Sequence, residues 1–519
     1  MTASVLLIHP PVAKPCEPPA GIARLAGACR AHGIRCRVWD AALGSVLHLL
    51  SGPIEVPGQA LDTWSRRAIA KTPAHLEALR TWELYRNPDR YRTAVHDINR
   101  ALQVAGGARN QPGADKISLT LADYRAARRS AVRSADLLDA AQGYADNPLH
   151  AYFQQRLASY LEEETPDLVG ISLNFMSQAL CAFALAGLVR ALLPGVRLVL
   201  GGGLVTSWMR IPGFANPFTG LVDDLVEGPG ESVLPEMAGD GPSPAGNAAA
   251  GSFDFAEFPL GRYLAPGPVV PYPASRGCYW RRCAFCPEKS ECSNYEPRSP
   301  QAVTADLKGI LKTPAALIHF LDNALAPRVL KQLIAHPPGV PWYGFVRFTR
   351  HLADPDFVRG LKAAGCVMLK LGMESGSQRV LDALDKGIDL GLVSRGLRTL
   401  RAAGIATYVY LLFGTPAETV DDARQTLDFT RNHGDCIDFL NLAIFNLPAH
   451  CPEARELKTR EFYPGDLSLY REFIHPRGWN RDRVRRFLSK EFRSAPAIRA
   501  ILQRDPPFFT SNHAPFLCM

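Results

Sequence analysis

Two stretches of this chain repeat one unit, a short apolar run followed by helix-spaced sequence, and that rhythm limits the possible folds more than any other feature. The first stretch opens with Val5-Leu6-Leu7-Ile8, stopped by His9-Pro10-Pro11. Helical spacing follows over 21–32, with Ile22, Leu25 and Cys29 on one face and Gly33 as the stop. A second strand is expected over 35–40. The rhythm resumes with strands over 168–173 and 197–200 around a helix over 178–192, and ends in Gly201-Gly202-Gly203. Strand, helix, strand in that order builds a parallel sheet with helices on both faces. Ligands on such sheets sit at the strand C-terminal ends. His9, Ser172, Asn174 and the Gly201–Gly203 turn are therefore expected along one edge. The glycines there permit a ligand to approach the backbone or merely make a tight turn.

The second stretch carries six such runs, over 269–274, 317–321, 342–347, 367–371, 406–412 and 439–444. Their spacing suits a full or partial β/α barrel, whose functional groups cluster at the strand C-terminal ends. Within the first stretch, residues 51–150 break the rhythm. They read as a helical insertion, with helices expected over 74–86, 90–104 and 121–141. Trp64, Trp82, Tyr85 and Tyr91 are read there as core. At 519 residues the chain exceeds one domain. The expected division is residues 1–245 with the 51–150 insertion, a linker at 246–263 read from the Gly/Pro/Ser/Ala stretch over 239–251, a core at 264–470, and a basic C-terminal tail at 471–519.

Composition excludes several classes. With 47% apolar and 21% charged residues, neither disorder nor a fibrous repeat is expected. The apolar run 179–189 is too short to cross a bilayer, which needs about 20 residues. The N-terminal run reads as a buried strand rather than a signal peptide, and a soluble cytoplasmic protein is expected. Net charge is +8, and residues 481–504 hold eight Lys or Arg against two acidic residues. That segment is read first as a solvated helix face and second as a nucleic-acid or acidic-peptide patch.

Twelve cysteines in a long chain of this type do not form a disulfide framework. Cys29, Cys36, Cys181 and Cys366 sit among apolar residues as small core side chains, and Cys518 is read as incidental. Cys278, Cys283 and Cys286 differ. They form C-x4-C-x2-C in Ser275-Arg276-Gly277-Cys278-Tyr279-Trp280-Arg281-Arg282-Cys283-Ala284-Phe285-Cys286-Pro287, a loop after the first barrel strand. Zinc would want a fourth ligand, and Cys292 is near enough in sequence to supply it. A cubane iron–sulfur cluster held by three thiolates leaves one iron open. The barrel-edge position and the missing second C-x2-C knuckle favour the cluster, and Cys292 is left out of it.

The cysteine loop resembles the signature of radical S-adenosylmethionine (SAM) enzymes, with Phe285 as the aromatic before the third cysteine. It is one residue longer than their usual C-x3-C-x2-C. Phe320-Leu321-Asp322-Asn323 is similar to the second-strand segment that contacts the SAM amino group. Leu371-Gly372-Met373-Glu374-Ser375-Gly376-Ser377 resembles the fourth-strand G-x-E-S-G-S segment, which Asp385-Lys386-Gly387 continues. Gly414-Thr415-Pro416-Ala417-Glu418-Thr419 resembles G-x-P-G-E-T, with Ala417 replacing a glycine. His9-Pro10-Pro11, Pro18-Pro19-Ala20-Gly21, 166–172, Gly201-Gly202-Gly203 and Glu227-Gly228-Pro229-Gly230-Glu231 resemble the cobalamin-binding domain fused to one subgroup. D-x-H-x-x-G does not occur in the chain, which implies cobalamin bound without a histidine ligand, or lost.

The resemblance implies an α/β chain: an N-terminal Rossmann-like, doubly wound cobalamin-binding domain, then a (β/α)6-type partial TIM barrel. It implies a 4Fe-4S cluster on Cys278, Cys283 and Cys286, with SAM chelating the fourth iron and cleaved to a 5′-deoxyadenosyl radical. It implies SAM contacts from the backbone near Asp322 and Asn323, from Glu374 or Ser375 at the ribose, and from Arg347 or Arg350 at the carboxylate. Glu374 otherwise pairs with Lys370. His9, Ser172, Asn174, Gly201 and Gly202 are the implied cobalamin contacts. The reaction implied is methyl transfer to an unactivated carbon, with ring contraction, cyclisation or rearrangement as the runner-up. A small-molecule or peptide substrate and an electron donor such as flavodoxin or ferredoxin are the implied partners, with no membrane and no nucleic acid. A zinc-stabilised nucleic-acid or peptide binding protein is the rival from another class.

Overall fold

The computed structural model describes residues 3–54, 61–107, 115–239, 252–291 and 293–519. It divides into two compact units. The first takes Met1–Pro268 with Pro464–Ser468 and Pro507–Phe509. Its sheet has five strands, β1 (Ser4–His9), β2 (Arg35–Asp40), β3 (Leu168–Ser172), β4 (Arg197–Gly201) and β5 (Asp224–Leu225), in the order β2-β1-β3-β4-β5. All four pairings are parallel. Every residue of β1 and β3 is buried, which is why both read as unbroken apolar runs rather than alternating ones. The crossover helices Ala20–Ala31 and Ala179–Leu192 bury most of their residues against this unit. The expected doubly wound α/β architecture is present.

The insertion differs in detail from its expected helices. Helices run over Thr63–Ala78, Trp82–Tyr85 and Pro88–Gly107. The stretch 121–141 is not one helix. It holds half of a hairpin, Ile117–Leu119 against Tyr124–Ala126, and only then a helix over Ser134–Gln142. The reason is the turn: Thr120 Oγ1 accepts hydrogen bonds from the Ala122 and Asp123 N–H groups, competing with helix formation. Tyr85 and Tyr91 are core, whereas Trp64 and Trp82 are exposed.

The expected linker is only partly within reach, since residues 240–251 lie outside the described residues. Residues 252–263 are packed rather than free. Phe253, Phe255 and Phe258 are buried, Asp254 N–H donates to Ala23 O, and Asp254 and Glu257 take the two arms of Arg30. The units divide at Pro268 and Val269.

The second unit takes Val269–Tyr463, Leu469–Pro506 and Thr510–Met519. Its strands β6 (Val269–Tyr272), β7 (Leu317–Phe320), β8 (Trp342–Val346), β9 (Cys366–Glu374), β10 (Ala406–Phe413) and β11 (Phe439–Ile444) lie side by side in sequence order. All are parallel, giving the six-stranded partial barrel. β9 runs on to Glu374 through a register shift at Gly372. The C-terminal segment is not a free tail. Tyr470–Phe473 is the middle strand of a small antiparallel sheet, and the helices Arg481–Phe487 and Pro496–Leu502 bury Val484, Phe487, Ile498 and Ile501. Phe487 and Phe492 pack on Phe413 at the end of β10. Arg483, Arg485, Arg486, Lys490 and Arg493 stay on the solvated side, as the first reading of this segment expects. Among the described residues no helix is long and apolar enough to cross a membrane. Cys29, Cys36, Cys181 and Cys366 are buried.

Candidate functional site

The cysteine loop leaves the sheet just after β6. Its neck closes where Ser275–Arg276 pairs antiparallel with Glu296–Pro297. Gly277 sits there at φ +68°, and a Cβ would collide with the Asn294 carbonyl, so only glycine lets the neck close. Cys283 is buried, and Cys278 and Cys286 are half-buried. The loop is fastened to a segment that follows β9. Ala284 N–H donates to Leu384 O at 2.9 Å, Trp280 Nε1 donates to Asp385 O at 3.0 Å, and Arg282 pairs with Asp385 at 2.9 Å. Arg347, at the end of β8, places Nη1 3.7 Å from Cys283 Sγ, lays its guanidinium 4.3 Å over the Trp280 ring, and donates to Lys386 O.

Burial pushes the Cys283 thiol up, and the Lys386 and Arg347 charges oppose it. Burial also pushes Cys286 up, to about 11. Among the described residues, no three His, Cys, Asp or Glu side chains converge closely enough to hold a metal ion. The trio therefore shares a loop without forming a closed cage, and Cys292 lies outside the described residues. In donor chemistry the loop still fits a thiolate-held group: three thiols on one excursion, one of them beside two buried cations.

The sheet edge around the loop is internally braced. Asp322, after β7, is buried, and its carboxylate accepts from Ala274 N–H and Ser275 Oγ, fixing the start of the loop. Burial pushes its pKa up, against the opposing pull of those bonds. Asn323 Nδ2 donates to Glu288 Oε1 at 2.7 Å, two residues past Cys286. Glu374, at φ +67°, pairs with Lys386 at 2.7 Å. Gly372 makes room for this pair, since a Cβ there would crowd both charged groups. Lys370, the alternative partner for Glu374, lies instead 2.7 Å from His319 Nε2, under the Phe345 and Tyr343 rings.

In the first unit the expected edge residues do come together. Asn174 Nδ2 reaches Ser172 Oγ at 3.1 Å, and Asn174 Oδ1 accepts from Gly203 N–H at 3.0 Å, bridging the ends of β3 and β4. Gly202, at φ +104°, is packed against Leu173 backbone, so its small size serves the fold. Gly201 O accepts from Leu173 N–H at 2.8 Å. His9 is buried with Nδ1 3.5 Å from Gln178 Nε2, and burial lowers its affinity for a proton. Sequence reasoning passed over Gln178, which binds Pro10 O and the Asn174 and Phe175 N–H groups, and Phe175, which is 56% exposed beside them.

The model of the radical SAM superfamily matches residues 272–430, the segment that holds the loop and most of the six-stranded sheet. The chain carries a radical SAM domain. It is 25% identical over 179 residues to the anaerobic magnesium-protoporphyrin IX monomethyl ester cyclase of Rubrivivax gelatinosus, covering 33% of this chain and 32% of the cyclase. It thus spans about a third of that relative's length. An uncharacterized methyltransferase of Pyrococcus horikoshii is 22% identical over 313 residues, covering 53% of this chain and 66% of that protein. In fold it is similar to the cobalamin-dependent SAM radical enzyme OxsB with aqua-cobalamin bound: TM-score 0.58, 12% identity, 95% of this chain and 67% of OxsB. It is also similar to the radical SAM methyltransferase TsrM of Kitasatospora setae, with cobalamin and a 4Fe-4S cluster: TM-score 0.50, 17% identity, 88% of this chain and 78% of TsrM.

Within the radical SAM domain two of the residues expected at SAM hold partners of the chain itself. Ser375 is fully buried, with its hydroxyl 3.2 Å from Thr426 Oγ1 and accepting from Ser377 N–H, so it braces the helix Val420–Asn432. The Arg347 guanidinium meets Cys283 Sγ and Lys386 O. Lys386 and Trp280 are the residues whose roles the motif did not announce; the signal was the Asp385-Lys386-Gly387 run itself.

Proposed function

We propose that this chain is a cobalamin-dependent radical SAM enzyme that transfers a methyl group to an unactivated carbon of a peptide or natural-product intermediate. The observation carrying the reading is the C-x4-C-x2-C loop at the C-terminal end of the first strand of a parallel half-barrel, inside the segment the superfamily model matches. Cys278, Cys283 and Cys286 would hold a 4Fe-4S cluster, which when bound supplies the one electron that cleaves SAM reductively. The chain's own residues hold and shield that region. Arg347 and Lys386 set positive charge beside Cys283, and the Trp280 indole covers the loop. Backbone near Asp322 and Asn323 would accept the SAM ammonium, and Glu374 would take the ribose hydroxyls.

For cobalamin, support comes from the likeness in fold to OxsB and TsrM and from the strand edge bearing Ser172, Asn174, Gly201 and Gly202. His9 is enclosed and braced by Gln178, in keeping with a corrin held without histidine ligation. A cytoplasmic setting and a flavodoxin or ferredoxin donor go with this chemistry.

Anaerobic reconstitution tests the reading. The expected result is iron and sulfide bound in a trio-dependent way, cobalamin retained, and label from methyl-labelled SAM in the product. A colourless protein with one zinc and no iron would select the binding-protein rival. Similarity to the anaerobic cyclase favours a second reading, cyclisation or rearrangement. SAM consumed with no label in the product would select it.

A further inference from the structure

We infer that Arg347 is a positioning residue that locks the cysteine loop and raises the reduction potential of the cluster held there; this rests on the reading above. One guanidinium meets three elements of the site. Its Nη1 lies 3.7 Å from Cys283 Sγ, its other arm donates to Lys386 O, and its Cζ lies over the Trp280 ring, 4.3 Å from the centroid. Trp280 lies between Cys278 and Cys283 in the chain and is itself held by Asp385 O. Arg347 thus ties a cysteine, the loop's indole and the segment after β9 to the end of β8. These contacts are a sulfur, a carbonyl oxygen and a ring, not a carboxylate, and the buried Glu374 carboxylate that also acts on Cys283 is paired with Lys386. A flat five-donor fork makes all three contacts at once, and a lysine ammonium does not.

The electrostatic consequence follows directly. Gain of one electron makes an iron–sulfur cluster more negative. A fixed cation and an N–H donor at a ligating sulfur stabilise the reduced state relative to the oxidised one. Burial sharpens the effect, since Arg347 is almost enclosed.

The test uses the full chain, reconstituted anaerobically with iron and sulfide and titrated with dithionite against mediator dyes. Arg347→Gln and Arg347→Met are expected to shift the cluster midpoint to more negative potential. Arg347→Lys, which keeps the charge, is expected to stay nearer the wild type. A neutral variant with wild-type iron content and an unshifted midpoint overturns the inference. If neither neutral variant folds, Arg347→Lys decides: a midpoint displaced as far as loss of the cysteine-loop contact at Trp280→Leu, with charge retained in both, overturns the electrostatic role. A wild-type chain that takes up no iron sinks the functional reading itself, a result distinct from all of these.

Discussion

Lys386 Nζ lies 2.7 Å from Glu374 Oε1, and the two side chains are only 7% and 12% exposed. Removing one member leaves the other charge buried and unpaired, which typically costs about 3 kcal/mol or more. Lys386→Met and Glu374→Gln are each expected to destabilise the chain by about that amount. The double variant recovers much of the loss. Denaturant unfolding in a double-mutant cycle measures the coupling, and additive single losses would contradict the pairing.

Glu418 is fully buried, accepting from Gly414 N–H and Trp479 Nε1, with Oε1 lacking a partner. Burial pushes its pKa up to about 7. A carboxyl raised in the folded state binds its proton more tightly there than in the unfolded chain. Its contribution to stability therefore falls as pH rises from about 4.5 to about 7 and is level above, a total of roughly 3 kcal/mol. Relative to Glu418→Gln, the wild type should lose stability across that window. Unfolding of both proteins at pH 5, 6, 7 and 8 reads the difference, and parallel pH profiles would contradict the assignment.

The strands and the cysteine loop were legible because their causes are local. Buried parallel strands must be apolar along their whole length, and β1 and β3 announce themselves. What escaped is set by partners distant in sequence. Ser375 reads as a ligand contact with nothing nearby in sequence to announce Thr426 beside it, and Arg347 reads as a carboxylate partner with nothing to announce Cys283 and Lys386 O at its donors. The stretch 121–141 misled because its Ala- and Arg-rich composition favours helix. A single hydroxyl, Thr120 Oγ1, bonded to two following N–H groups, turns the chain into a hairpin first. Lys370 likewise has a carboxylate four residues away in sequence, but four residues of extended strand separate the two by roughly 13 Å, and its ammonium meets His319 on β7, two strands away.

Lys370 is buried on β9, with its ammonium 2.7 Å from His319 Nε2 and 4.5 Å from the Phe345 ring centroid. Holding a buried amine in this way costs desolvation that an apolar side chain of similar length avoids. Lys370→Met is expected to raise the unfolding free energy by about 1 kcal/mol while lowering turnover. Such a trade of stability against activity marks a functional position. Thermal unfolding and product formation on the same preparation check both halves, and a destabilised variant would point to a structural role.

Gly387 and Gly404 form a controlled pair. Both take left-handed backbone, at φ +64° and +69°, so alanine at either position carries a similar strain of about 1 kcal/mol. Around Gly404 a Cβ meets nothing nearer than the Lys362 side chain at 4.0 Å. At Gly387 it would overlap the Trp280 ring. Gly387→Ala must push the indole off Asp385 O and off Arg347, unfastening the cysteine loop from the segment after β9. Gly387→Ala is therefore expected to cost roughly 2 kcal/mol beyond Gly404→Ala. It is also expected to lose most of its iron after reconstitution, whereas Gly404→Ala retains it. Iron content and unfolding free energy of the two variants, measured side by side, separate backbone strain from loop docking. Equal iron retention in both would mean that the Trp280 contact does not hold the loop.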